Sequence, residues 1–197
     1  MKTGLIVLVL FLVGCTVTSP PIAEYTLSPE IRLQKHTSKL CKEKSLKVGQ
    51  AFSSNSLMSK KMSYMQAEYE ESVFTQSEWV RTPNKAISDI LLKSIRDSGL
   101  FKNVSSYKSR VKADLLLEAH IEKFIQYFKD DNKKSYVEVV MTLNLLNAKD
   151  SKSIAHSTFS VKVDTKSVDA KGGVIALNTA LSKILLETNN WLAGVCR

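Results

Sequence analysis

Residues 115–163 read LLLEAHIEKFIQYFKDDNKKSYVEVVMTLNLLNAKDSKSIAHSTFSVKV, and their alternation decides the fold. Leu115, Leu117, Ala119, Ile121 and Ile125 recur along a first run. Val137, Val139, Met141, Leu143 and Leu145 recur along a second, and Ala155, Phe159, Val161 and Val163 line a third. Successive side chains of a strand point to opposite faces, so a period of two marks a strand with one buried face. The charged stretches Lys129 to Lys134 and Lys149 to Lys152 are short connections, and the three runs therefore predict an antiparallel meander.

Working outward, Leu46, Val48, Gln50 and Phe52 alternate, which predicts one short strand over residues 46–52. Two more are predicted at residues 60–66 and 70–75, around Ala67-Glu68. Thr82-Pro83 opens a helix, because threonine can cap orphan amides and proline suits the first helical position. Ile87, Ile90, Leu91 and Ile95 form its apolar stripe, and Gly99 is placed to stop it in a left-handed conformation. Gly172-Gly173 closes the last loop. Val174, Leu177, Leu181, Ile184, Leu185, Leu192 and Val195 then recur at helical spacing almost to the C-terminus. Strands, helix, strands, helix without a βαβ rhythm predict an α+β single domain: an antiparallel sheet with two main helices packed on one face.

The N-terminus carries a different signal. Lys2 gives a positive start, Leu5 to Val13 is a nearly unbroken apolar run, and Gly14-Cys15 ends it. That order is a secretory signal peptide. The run is about half the ~20 residues needed to span a bilayer, and the polar Thr16 to Ser19 follows at once. Leu12-Val13-Gly14-Cys15 resembles the lipobox of bacterial lipoproteins, which implies cleavage before Cys15 and lipid on that cysteine. The expected organisation is a signal peptide over 1–14, a lipidated N-terminus and tether over 15–24, and a periplasmic domain over 25–197.

The formal net charge is +9. An exported, lipid-tethered chain does not meet nucleic acid, so the lysines read either as a solvated surface or as contact with acidic lipid headgroups. With Cys15 used by lipid, Cys41 and Cys196 remain, either bridged in a disulfide-permissive compartment or as two buried thiols.

No catalytic constellation emerges. His36, His120 and His156 have no neighbours at metal-ligand spacing, so no metal or other cofactor is expected. Glu118, Glu122 and Glu138 share the polar parity of their strands with His120 and His156, and lysine-rich surroundings favour a salt-bridged outer face over a carboxylate pair for catalysis. That same parity also carries Leu116, Phe124, Tyr136, Val140 and Leu146. Apolar groups clustered on a nominally outer face mark a partner surface; the alternative is a covering loop such as residues 34–44.

Several landmarks in order are similar to the auxiliary lipoproteins of MCE-type ABC lipid transporters, the PqiC-like family. After the lipobox come Tyr25-Thr26-Leu27 with Pro29, the pair of strands around Met62-Ser63-Tyr64, and Glu78-Trp79-Val80-Arg81-Thr82-Pro83 leading into the first helix. Ser98-Gly99-Leu100-Phe101 ends that helix. Ala113-Asp114-Leu115 opens the long strand, Thr158-Phe159 sits in the third, and Ala176-Leu177-Asn178 with Asn190-Trp191-Leu192 marks the last helix. The resemblance implies a non-enzymatic component, partnered by an MCE-domain protein and, through it, a permease and ATPase that move lipids between inner and outer membranes. The outer sheet face or the basic loops would dock on that partner or on further copies of the chain. Thr16 after the lipidated cysteine resembles outer-membrane sorting. The competing class is a structural or assembly lipoprotein partnering an outer-membrane β-barrel.

Overall fold

A computed structural model describes residues 20–31, 41–129 and 132–196. The signal peptide, Cys15, His36 and most of the segment 34–44 lie outside the described residues. The fold is α+β, with nine strands in one sheet and two main helices on one of its faces. In chain order the elements are β1 (Ala23–Tyr25), β2 (Ser45–Val48), β3 (Phe52–Ser53), β4 (Lys61–Ala67) and β5 (Glu70–Trp79), then α1 (Pro83–Ser98) and β6 (Asn103–Ser106). The meander β7 (Leu115–Lys129), β8 (Lys134–Asn147) and β9 (Ser153–Asp164) follows, and α2 (Ala170–Val195) ends the chain.

β7 is the spine. One edge pairs antiparallel with β8, which pairs antiparallel with β9. Its other edge is shared out along its length: β2 at Leu115 to Leu117, β3 at His120 and Ile121, and β4 at Gln126 and Tyr127, all parallel to it. β2 carries β6, and β4 carries β5 and then β1. The sheet is thus mixed, antiparallel in the meander and in the β4–β5 pair, parallel elsewhere. β1 draws Ala23 and Glu24 into the sheet beside Ser77 and Glu78, so these two residues of the expected tether are strand.

The core lies between sheet and helices. Leu117, Ala119, Ile121, Val139, Met141, Leu143 and Leu145 face Ile87, Leu91 and Ile95 of α1 or Leu181, Ile184 and Leu185 of α2, and all are essentially sealed from water. Burying each large aliphatic side chain contributes about 1.5–3 kcal/mol. A buried polar link joins the helices, with Asn189 Nδ2 donating to Ser94 Oγ at 2.8 Å.

Three local expectations are corrected. The register of β7 against β8 shifts between Ile121 and Lys123, where Glu122 is an extra residue. This bulge reverses parity, so Phe124 turns inward against Trp79 (ring centroids 6.0 Å apart) and Ile125 turns outward. The predicted strand 46–52 breaks after Val48. Gly49 N donates to Leu117 O at 2.9 Å and Ala51 N to Ser88 Oγ of α1 at 2.9 Å, which leaves Phe52 62 % exposed. Thr82 starts α1, but its hydroxyl donates to Asn84 Oδ1 and caps no amide; its carbonyl accepts from Lys85 and Ala86 instead. Gly99 takes the left-handed conformation at the other end, with φ 67°.

Candidate functional site

The helices cover one face of the meander, and among the described residues the other face has no helical layer. Alternate residues place Leu116, Lys123 and Tyr127 of β7 on this bare face, with Tyr136, Glu138, Val140 and Leu146 of β8 and Lys162 of β9 beside them. Leu116, Tyr136 and Val140 are half-buried on this one face, but they are spread along it: Val140 lies four residues from Tyr136, whereas Leu116 pairs with Leu146 at the opposite end of the β7–β8 ladder. Phe124 does not belong with them: at 5 % exposure it is core, for the bulge described above. Leu146 points outward beside Leu116 but is only 7 % exposed, so it offers little surface to a partner.

Toward the β7–β8 turn the face becomes aromatic and charged. Tyr127 and Tyr136 stack with centroids 5.0 Å apart and planes 10° from parallel. Lys129 Nζ lies 4.4 Å from the Tyr136 centroid and Lys162 Nζ 5.7 Å, within the range of cation–π attraction. Glu138 is buried and bridges Lys123 at 3.0 Å and Lys162 at 3.5 Å. The hydrogen bond from Lys123 to Glu138 holds the Lys123 ammonium above its usual range, and burial pushes the Tyr127 phenol up. One fixed carboxylate between two lysines is a structural ion network and supplies no acid–base pair.

The remaining chemistry-bearing residues stay apart. His120 sits opposite Thr142 and His156 opposite Asn144, so β8 separates the two imidazoles. Glu122 accepts from Thr142 Oγ1 at 2.5 Å, and Glu118 lies elsewhere on β7. Among the described residues no group of three His, Cys, Asp or Glu could hold a metal ion, and no helix is long and apolar enough to cross a membrane. Cys41 and Cys196 are disulfide-bonded, with Cα atoms 5.3 Å apart.

Sequence reasoning missed a cleft of about 460 Å³ beside Leu116, walled by Ala51, Phe52, Met58 and His120. Phe52 and Met58 are exposed there. The only sequence signal was Gly49, which ends β2 where a Cβ would press on Leu117 O and so lets the chain turn Phe52 outward.

The family described as ABC-type transport auxiliary lipoprotein component matches residues 25–187, from β1 to well into α2. The chain belongs to that family. An ABC-type transport auxiliary lipoprotein component is a lipid-anchored envelope protein associated with an ABC transport system, and the family is an auxiliary rather than a catalytic one. The fold of this auxiliary lipoprotein is similar to the crystal structure of protein XCC0632 from Xanthomonas campestris, with a TM-score of 0.76 and 18% identity, over 88% of this chain and 96% of that one. A second crystal structure, of an uncharacterized protein, matches with a TM-score of 0.68 and 10% identity over 88% and 99% of the two chains. At such identities the likeness shows the fold alone. No curated protein matches this chain.

Proposed function

We propose that this auxiliary lipoprotein is cleaved before Cys15, lipidated there, and held in the periplasm, on the outer membrane. In this reading it serves an MCE-type ABC system that moves lipids between the two membranes, and docks on the MCE-domain protein through its helix-free sheet face. One observation carries the docking claim: Leu116, Tyr136 and Val140 share the sheet face that neither helix covers, as a partner surface requires. The family match supports an ABC transport context. The transporter's ATPase supplies the energy, and this chain contributes position and contact.

The test is a detergent pull-down of the full-length lipidated protein with its partners identified by mass spectrometry. Recovery of an MCE protein with its permease and ATPase, lost in Val140→Glu while the thermal unfolding midpoint is kept, supports the reading. Recovery of an outer-membrane β-barrel without an ATPase moves the chain to the assembly class. Unchanged recovery in Val140→Glu removes this face as the docking surface.

A further inference from the structure

The charge of this chain is not evenly placed along the sheet. β2, β6 and β7 are parallel and begin at one end, where β8 also gives way to its turn toward β9. The segments at that end carry Lys42 and Lys44 before β2, Lys102 before β6, Arg110 and Lys112 before β7, and Lys149 in the β8–β9 turn. All six are exposed, and none is ion-paired with a carboxylate among the described residues. The local acids are few and mostly engaged. Asp150 faces Lys152 at 3.5 Å. Asp114 accepts from Ser45 N at 2.8 Å and Ser45 Oγ at 2.7 Å. Those bonds hold its carboxyl below the usual range, and the charges of Lys44 and Lys149 add to the effect. Among the described residues at this end, only the Glu43 side-chain carboxylate stands exposed without such an attachment.

This end is also tied together. Lys44 N donates to Cys41 O, Lys102 N to Lys44 O, Asp114 N to Ser45 O and Ala148 N to Asp114 O, all at 3.0–3.1 Å. The Cys41–Cys196 disulfide fastens the first of these segments to the C-terminal end of α2. The cations therefore stand on four braced segments, which lowers the ordering cost of meeting fixed opposite charges.

Its position follows from strand direction. β1 runs parallel to β5, which starts from the β4–β5 turn, and β4 runs parallel to β7. At Ala23 the chain thus enters β1 from the side of the β4–β5 and β7–β8 turns. The basic end lies opposite: β1 begins level with about Phe124 of β7, and Leu115 is nine residues away along that strand, about 30 Å at ~3.3 Å per residue.

We propose that this Lys/Arg-rich end, facing away from the tether, is a docking surface for an acidic protein partner. Charge complementarity selects the partner, and the distance from the anchor sets the bilayer that holds the chain apart from it. The second point rests on lipidation of Cys15, which mass spectrometry of the purified protein checks separately.

The experiment places the lipidated protein in phosphatidylcholine vesicles and titrates it with fluorescent poly-L-glutamate, varying salt. The triple variant Lys44→Glu, Lys112→Glu, Lys149→Glu should weaken binding at least roughly tenfold, with its unfolding midpoint kept. A control with the same net charge, Lys133→Glu, Lys134→Glu, Lys171→Glu, reverses exposed cations at the tether end and should bind nearly as well as the parent. Equal loss in both variants overturns the proposal, since net charge alone would then explain binding. A second population of phosphatidylcholine vesicles containing phosphatidylglycerol forms the other arm. Capture of those vesicles without affinity for poly-L-glutamate overturns it in favour of a second membrane.

Discussion

Gly173, in the first turn of α2, packs so closely on the Gln126 side chain of β7 that a Cβ would fall on Gln126 Oε1. Gln126 is 2 % exposed and has little freedom to withdraw, because its Nε2 donates to Ser135 Oγ at 3.0 Å and Asp169 O at 3.3 Å. Gly173→Ala should therefore destabilise the fold by about 1–3 kcal/mol, the usual cost of overpacking a filled site. Gly194, near the end of the same helix, has nothing within 4 Å of an added Cβ. Gly194→Ala should instead stabilise by about 0.4–1 kcal/mol. Urea unfolding of the two variants checks the opposite signs.

The same pair marks how far the sequence could be read. Alternation in Val137 to Leu145 is a property of the chain itself, and it located β8 and its buried face. The stripe Ile87, Leu91, Ile95 between Pro83 and Gly99 located α1 in the same way. Gln126 is different. It faces inward only because Glu122 is extra against β8, and nothing in the letters of β7 announces a bulge. Phe124 was misplaced for that reason. The parallel pairings of β2, β3 and β4 along one edge of β7 are likewise set by tertiary packing, so the meander was legible and the mixed sheet was not. The outward parity of Leu116 was legible because it precedes the bulge in β7, and that of Tyr136 and Val140 because β8 carries no extra residue there, whereas the exposure of Phe52 depends on Ala51 N reaching Ser88 on α1.

The Cys41–Cys196 disulfide closes 155 residues of chain separation. A cross-link of that span stabilises by about 3–5 kcal/mol in the chain-entropy account. Cys41→Ser with Cys196→Ser should lower the urea midpoint by a corresponding amount, and reductant should shift the parent protein while leaving the double variant unmoved. A parent protein indifferent to reductant would mean that the bridge contributes nothing to stability.

Asp169 caps α2, accepting from Gly172 N at 2.7 Å and from Ser167 Oγ at 2.8 Å. The Gly172 bond is the main reason its carboxyl is held below the usual aspartate range, with the Ser167 bond adding to it. A depressed carboxyl contributes stability that is present above the unfolded-state value and lost as pH falls through the lower folded-state value. Asp169→Ala should thus cost about 0.5–2 kcal/mol at neutral pH. The difference from the parent should shrink as pH drops below 3.8, and Asp169→Asn, which keeps an uncharged acceptor, should show little of this pH dependence. Unfolding midpoints collected from neutral pH downward provide the comparison.

Phe124 and Val140 sit on strands one place apart in the β7–β8 ladder, yet they face opposite sides of the sheet. Phe124 fills the core against Trp79, so Phe124→Ala should cost about 3–5 kcal/mol through lost burial and the cavity left behind. Any accompanying loss of partner binding would then follow unfolding and should be restored where the variant is kept folded by lower temperature. Val140→Glu adds a carboxylate on the half-buried outer surface, opposite Lys123, and should leave the unfolding midpoint within a few degrees while removing the docked partner at every temperature. Thermal unfolding followed by circular dichroism, run beside co-purification at two temperatures, separates the two effects. If Val140→Glu lowered stability as much as Phe124→Ala, the outer face would be part of the folding core rather than a surface kept open for a partner.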